Sequence, residues 1–114
     1  LYLPSEITLI KAEASARTGN LSAALTELNK VITKTTAADP FRIGASLPAS
    51  TASSADAILT EIYKNRCIEL FMSGLKLEDM RRFGRANAER KRNFFPYPFR
   101  ERDGNINTPA DPSF

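Results

Sequence analysis

The fold is decided by residues 57–84, AILTEIYKNRCIELFMSGLKLEDMRRFG, which predict a long amphipathic helix, a break at Gly74 and a short second helix ending at Gly84. Apolar residues recur in the first helix at spacings of three and four positions, which places them on one broad face. These residues are Ile58, Leu59, Ile62, Tyr63, Cys67, Leu70 and Phe71. We therefore expect this helix to pack against others.

Arg66 falls on the same helix face, and its guanidinium allows two interpretations. If it is buried it needs a partner, since removing the partner of a buried charge costs about 3–5 kcal/mol. Glu69 and Asp79 are the candidates. Alternatively, Arg66 lays its stem on the core and keeps its charged head in water. We favour an ion-pair network of Arg66, Glu69, Asp79 and Arg82 that joins the parts of the broken helix. The alternative is that these four residues form a polar ligand site.

Two helices joined by a tight turn precede this stretch. Pro4 begins the first helix, which runs to about Thr18, where Gly19 ends it. Asn20 caps the second helix. The second helix carries a regular apolar stripe at Leu21, Ala24, Leu25, Leu28, Val31 and Ile32. The short turn predicts an antiparallel hairpin that resembles one tetratricopeptide-type unit.

The first helix of the hairpin is expected to divide into faces. Ile7, Ile10 and Ala14 lie on one side of it. Lys11 and Glu13 lie near its middle, where we expect a solvated face.

A loop and a tail complete the chain. Residues 35–54 are rich in Ala, Ser, Thr and Pro and predict a long loop, which we expect Phe41, Ile43 and Leu47 to pin to the core. Ser54 or Asp56 then caps the long helix. The sequence thus predicts a single all-α domain over residues 1–114: a helical hairpin (1–34), a loop (35–54), a broken helix (55–84) and an irregular tail (85–114).

The tail combines basic and aromatic residues. Residues 81–102 contain eight Arg or Lys residues and only two Glu residues, although the net charge of the chain is only +3. We expect a solvated basic surface, and the alternative is a site for single-stranded nucleic acid. Phe94, Phe95, Tyr97 and Phe99 alternate with prolines and should be extended. We expect them to cover the core, and the alternative is a platform for stacking sugars.

Composition excludes several kinds of site. The chain has no histidine and a single cysteine, which excludes Ser-His-Asp and Cys-His catalysis, histidine metal sites and four-cysteine zinc sites within it. Cys67 is expected to be a small buried hydrophobe. No stretch reaches the roughly 18–20 apolar residues of a membrane-spanning helix. We expect no enzyme activity, no catalytic or metal-binding residue and no cofactor, and no carboxylate pair has the spacing of an acid and base.

Three blocks of sequence carry a resemblance. The first is residues 9–14, LIKAEA, with the Gly19-Asn20 turn and residues 23–29, AALTELN. It is similar to the family pattern L-x-x-A-E-A, a Gly-Asn turn and A-x-x-x-L-N. The last of the three blocks along the chain is residues 96–101, PYPFRE, which is close to the family pattern P-I-P-x-x-E; the block between these two is described next.

The second block is residues 62–70, IYKNRCIEL, followed by Gly74 and residues 79–82, DMRR. It is similar to I-x-x-E-R-x-x-E-L, E-G-x-R and D-L-x-R. In this order, the blocks resemble the C-terminal part of the SusD/RagB family of outer-membrane nutrient-binding lipoproteins from Bacteroidetes. Asn65, Ser73 and Lys76 depart from the family's Glu, Glu and Arg, which should loosen the charges around Arg66 and Glu69.

The resemblance implies a longer protein with tetratricopeptide-like helix pairs, of which residues 1–114 are the C-terminal portion. Such proteins are lipid-anchored on the outer-membrane surface, bind glycans or other nutrients, and act with a TonB-dependent, SusC-like transporter. Their lipid-bearing cysteine is N-terminal, so Cys67 does not correspond to it. No ligand-binding residue maps onto this chain, and no nucleic-acid partner is implied. The alternative function is a helical-repeat protein-interaction module, which the Gly19-Asn20 hairpin supports.

Overall fold

The computed structural model describes residues 3–90 and 96–110, and within these ranges all regular structure is helical. The helices are α1 (Pro4–Arg17), α2 (Leu21–Ile32), α3 (Ala55–Glu69), α4 (Lys76–Arg82), α5 (Asn87–Arg90) and α6 (Phe99–Gly104). The predicted all-α fold is confirmed. The chain divides into two compact units, Leu1–Lys76 and Leu77–Phe114, which we describe separately.

The first unit is built on the α1–α2 hairpin, and its turn matches the sequence prediction. Thr18 and Gly19 end α1, and Gly19 has a φ of +83°, a backbone conformation that glycine adopts without strain. The Asn20 side chain accepts a hydrogen bond from the Ala23 N–H at 3.2 Å, which caps α2. The expected stripe of α2 is buried at Ala24, Leu28, Val31 and Ile32.

The buried face of α1 differs from what its isoleucines suggest. Leu9, Ala12 and Ala16 are the buried apolar residues of α1, whereas Ile7 and Ile10 are 41% and 44% exposed. Because the contact face is lined by two alanines, α1 can lie close to α2 and α3, both of which it packs against.

The expectation that Glu13 lies on a solvated face of α1 is wrong. It is only 4% exposed, and its carboxylate accepts a hydrogen bond from Arg17 at 2.7 Å. A pair spaced i,i+4 along the helix lets the carboxylate be buried with its charge matched. Lys11 is exposed, as expected.

The third helix of this unit buries Ile58, Ile62, Tyr63 and Arg66. Ser54 is its cap, since the Ser54 hydroxyl accepts from the Ala57 N–H at 3.2 Å. The helix ends at Glu69 and α4 starts at Lys76, with Gly74 at a φ of +84° in the predicted break. The prediction for Phe71 is wrong: it is 77% exposed, because it follows the end of α3 and no longer shares the helix face.

The second unit contains most of α4 and the two short helices. Met80 is buried, and Leu77 and Phe83 are partly buried, in agreement with the expected inner face of α4. The tail is less irregular than predicted, since α5 and α6 lie within it. Phe94 and Phe95 fall outside the described residues. The expectation that the aromatic run covers the core is wrong for Tyr97 and Phe99, which are 44% and 72% exposed.

Candidate functional site

A partly buried lysine just after α2, Lys34, joins polar groups from three parts of the first unit. The Lys34 ammonium donates hydrogen bonds to Ser5 Oγ at 2.9 Å and Glu69 Oε2 at 2.5 Å, and lies 2.6 Å from Asp39 Oδ2. These partners come from α1, α3 and the loop after α2. An ammonium has three N–H donors, so the three contacts use all of them.

The contacts of this cluster favour the ionised forms of Lys34 and Asp39. The side chains of Lys34, Asp39 and Glu69 are 12%, 5% and 11% exposed. Burial by itself lowers the pKa of Lys34, but hydrogen bonds and attraction to Asp39 and Glu69 outweigh it, so the pKa lies above its ordinary value. The hydrogen bond from Lys34 lowers the pKa of Asp39, with help from the Phe41 N–H.

The loop after α2 brings Asp39 to this position. Two backbone hydrogen bonds hold the ends of the loop together. The Ser46 N–H donates to the Lys34 carbonyl at 3.0 Å, and the Leu47 N–H donates to the Ile32 carbonyl at 3.1 Å. Inside the loop, Asp39 Oδ1 accepts the Phe41 N–H at 2.7 Å. Residues 34–46 thus form a closed surface loop fixed by its own hydrogen bonds.

Glycine is required at one point of this loop. A Cβ on Gly44 would lie 2.4 Å from the carbonyl carbon and oxygen of Thr35. Only a residue without a side chain permits the two backbone segments to approach this closely.

The apolar residues expected to pin the loop do not do so. Phe41, Ile43 and Leu47 are 59%, 56% and 54% exposed. Polar contacts hold the loop instead, including a two-way bridge in which Asn29 Oδ1 accepts the Ser50 N–H at 2.8 Å and Asn29 Nδ2 donates to the Ser50 carbonyl at 3.4 Å. The unpaired backbone groups of a loop need such partners near the core, and hydrophobic side chains cannot supply them.

A cleft opens beside the Lys34 cluster, between the start of α1, the end of α2 and the loop. Its volume is about 350 Å³. We call it the Lys34 cleft, and its lining residues are Ser5, Thr8, Lys30, Val31, Lys34, Ala38, Asp39 and Pro40. It thus combines hydroxyl groups and charged groups with an apolar wall.

The structure agrees only in part with the interactions predicted for the polar residues around Arg66. Arg66 is 4% exposed, so the interpretation with its head in water is wrong. Glu69, a predicted partner of Arg66, binds Lys34. Asp79 accepts from Arg82 at 2.6 Å within α4. Neither of these two ion pairs joins α3 to α4, so the ion-pair network that we favoured stays a prediction.

Lys76, which replaces the family's Arg, makes contacts of its own in the first unit. Its ammonium donates to the Tyr63 hydroxyl at 2.9 Å and to Cys67 Sγ at 2.8 Å. The hydrogen bond to Cys67, followed by that to Tyr63, raises the pKa of Lys76. Cys67 is half-buried, so it serves as a polar contact and not simply as a small hydrophobe.

Sequence reasoning missed Lys34 and placed Asp39 only within the predicted loop of residues 35–54. The signal that was available is a lysine just after the last turn of α2 with an acid five residues later. That spacing does not show which helix faces the ammonium, because Ser5 and Glu69 reach it from distant parts of the chain.

Two searches of the described residues complete the inventory of the site. Within residues 3–90 and 96–110, no group of His, Cys, Asp and Glu side chains has the arrangement of a metal site. No helix in these ranges has the length and apolar character needed to cross a membrane.

Comparison with known proteins gives one match. The model of the SusD family matches residues 4–111. No curated protein matches the chain, and no solved structure matches it.

Proposed function

Because this chain belongs to the SusD family, we propose that it is part of a lipoprotein on the outer-membrane surface that captures glycans or related nutrients for import. The observation that carries the proposal is the extent of the family match, which runs from the first residue of α1 through α6. A partial match to one helix pair would fit many helical proteins, whereas this one includes the hairpin, the broken helix and the tail.

The proposal includes a partner and an anchor. We infer that the native protein acts with a TonB-dependent, SusC-like transporter and is held at the membrane by an N-terminal lipid. We also keep the prediction that residues 1–114 are one C-terminal portion of a longer chain. Family membership supports these statements, and we assign binding and not catalysis to the protein.

The decisive experiment is isolation of the native protein from membranes with an antibody raised against residues 1–114. We expect a longer chain with an acylated N-terminal cysteine, co-purification of a TonB-dependent transporter, and retention of at least one neutral glycan in a screen. Beads carrying an unrelated antibody are the control. An unlipidated product near 12.6 kDa that binds no glycan would overturn the proposal.

A second function is favoured by the α1–α2 hairpin, which is the form of one tetratricopeptide-type unit. The exposed Ile7 and Ile10 of α1 are the kind of residues that contact another helix or a protein partner. If the protein is an interaction module, the same isolation should recover a stoichiometric protein partner other than a transporter, with no bound glycan.

A further inference from the structure

Two side chains of α3 and one from the start of α4 form a cluster outside the Lys34 cleft. Tyr63 and Cys67 are four positions apart on α3, so they share one side of the helix. Lys76 is the first residue of α4. Its ammonium donates to Cys67 Sγ at 2.8 Å and to the Tyr63 hydroxyl at 2.9 Å, and all three residues belong to the first unit. The cluster thus holds an amine and a thiol in direct contact.

The turn between α3 and α4 carries Lys76 to this position. Gly74 lies in the turn with a φ of +84°. The Ser73 hydroxyl donates to the Leu70 carbonyl at 2.6 Å and accepts from the Leu75 N–H at 3.4 Å. The backbone just before Lys76 is therefore fixed by its own hydrogen bonds to the end of α3.

Tyr63 keeps the Lys76 ammonium beside the sulfur. Tyr63 is only 5% exposed, so the core holds its ring in place. The ammonium lies 4.6 Å from the centre of this ring, and the attraction of a cation to an aromatic face adds to the hydrogen bond. The hydrogen bonds to Cys67 and Tyr63 raise the pKa of Lys76, so its nitrogen must release a proton before it can bond to sulfur.

Both reacting groups are within reach of a dissolved oxidant. Cys67 is half-buried, and Lys76 is exposed. Oxidants attack the thiolate form of cysteine, and a cationic neighbour promotes that form. The sulfenic acid that results condenses with nitrogen to a sulfenamide. A contact of 2.8 Å gives the amine a high effective concentration, which offsets the small fraction of it that is neutral.

We propose that Cys67 and Lys76 form a reversible covalent cross-link when the protein meets a peroxide. In the first step Cys67–SH and H₂O₂ give Cys67–SOH and water, as the O–O bond breaks and the sulfur loses an electron pair. In the second step the neutral Lys76 amine attacks this sulfur, an S–N bond forms, and the S–O bond breaks with release of water. The product is Cys67–S–NH–Lys76, and a dithiol returns it to thiol and amine while becoming a disulfide.

The cross-link closes residues 67–76 into a ring across the break at Gly74. A covalent link between two positions of a chain restricts its unfolded state. We therefore expect the cross-linked protein to melt at a higher temperature than the reduced protein. The cross-link is independent of the nutrient-binding function proposed above.

The test is peptide mapping after treatment of the chain with hydrogen peroxide. Free thiols are blocked with iodoacetamide, and trypsin digestion follows without reductant. Because the bonded lysine has lost the charge that trypsin recognises, we expect a peptide that runs uncleaved through Lys76 and is about 2 Da lighter than its free-thiol form. Dithiothreitol should restore both the mass and the cleavage. Oxidation of Met72 or Met80 adds about 16 Da, and dithiothreitol does not reverse it.

Lys76→Arg and Lys64→Arg are matched variants. Lys76→Arg keeps the positive charge but removes the amine, so it should give no cross-link, and Cys67 should proceed to the sulfinic acid. Lys64 is an exposed lysine of α3 only three positions before Cys67, and Lys64→Arg should cross-link like the unchanged chain. Circular dichroism melting should show that both variants fold. In concentrated urea, where the contact is lost, the yield of the unchanged chain should fall.

Four results would contradict these expectations. Oxidation of the folded, unchanged chain to the sulfinic acid without a cross-link would overturn the proposal, and so would a cross-link that persists in Lys76→Arg. An undiminished yield in urea would show that the folded contact does not direct the reaction. Equal melting temperatures of cross-linked and reduced protein would overturn the stabilising role of the bond.

Discussion

At the scale of single residues, Lys34 and Asp39 couple the stability of the first unit to pH. The lowered pKa of Asp39 means that its contribution is present above its ordinary value of 3.8 and is lost as the pH falls through the folded-state value below it. The raised pKa of Lys34 means that its contribution is present below 10.5 and is lost as the pH rises through the folded-state value above it.

We therefore expect Asp39→Asn to lower the free energy of unfolding most between these limits and to flatten its fall at acid pH. Urea titrations at a series of pH values measure this. Asp103→Asn, an exchange at an exposed carboxylate of α6, is the control and should leave the pH profile unchanged. An Asp39→Asn profile parallel to that of the unchanged chain would show that the contact with Lys34 contributes nothing.

Gly44 gives a second prediction at this scale. Gly44→Ala should destabilise the protein by about 1–3 kcal/mol, because the new methyl group overlaps the Thr35 backbone and the loop must shift. Gly104→Ala is the matched control, since nothing lies within 4 Å of a Cβ there. Thermal melts compare the two, and equal melting temperatures would contradict the close approach.

At the scale of helices and loops, the sequence predicts best where the signal is local. The Gly19-Asn20 turn and the Ser54 cap depend on residues within three positions of each other, and both are present. Phe71 and Glu13 were placed wrongly because helix periodicity shows neither where α3 ends nor which face of α1 meets its neighbours. The Lys34 cluster was missed for a related reason, since it joins residues more than thirty positions apart.

The loop between α2 and α3 allows its polar and apolar anchors to be compared. Asn29→Ala should cost about 1–3 kcal/mol, because it leaves the Ser50 N–H and carbonyl without their bridge. Phe41→Ser should change stability by no more than about 0.5 kcal/mol, since Phe41 is 59% exposed. Chemical denaturation measures both. A larger loss for Phe41→Ser than for Asn29→Ala would restore the hydrophobic anchor that the sequence suggested.

At the scale of the whole molecule, the basic pI of about 9.3 invites the idea of a polyanion partner. The ion pairs of the second unit argue against it. Arg81 pairs with Glu78, Arg82 with Asp79 and Arg85 with Glu89, each at 2.6–2.7 Å. A cation already paired with a carboxylate displaces fewer counterions from a phosphate chain.

We therefore expect the protein to leave a heparin or single-stranded DNA column at or below about 150 mM salt, where exposed charges are screened beyond about 8 Å. Glu78→Gln combined with Glu89→Gln should delay elution, because Arg81 and Arg85 each lose one carboxylate contact, and Glu61→Gln in α3 serves as the control. Retention of the unchanged protein to much higher salt would revive the nucleic-acid alternative.

Because all three N–H groups of the Lys34 ammonium are used in contacts, the chemical reactivity of Lys34 depends on the opening of the loop. Acylating reagents attack only neutral amines, so Lys34 should resist them while the exposed Lys11 and Lys64 react. Modification of Lys34 then requires the loop to open and release Asp39. The rate at which Lys34 is labelled, followed peptide by peptide, therefore measures how often residues 34–46 open.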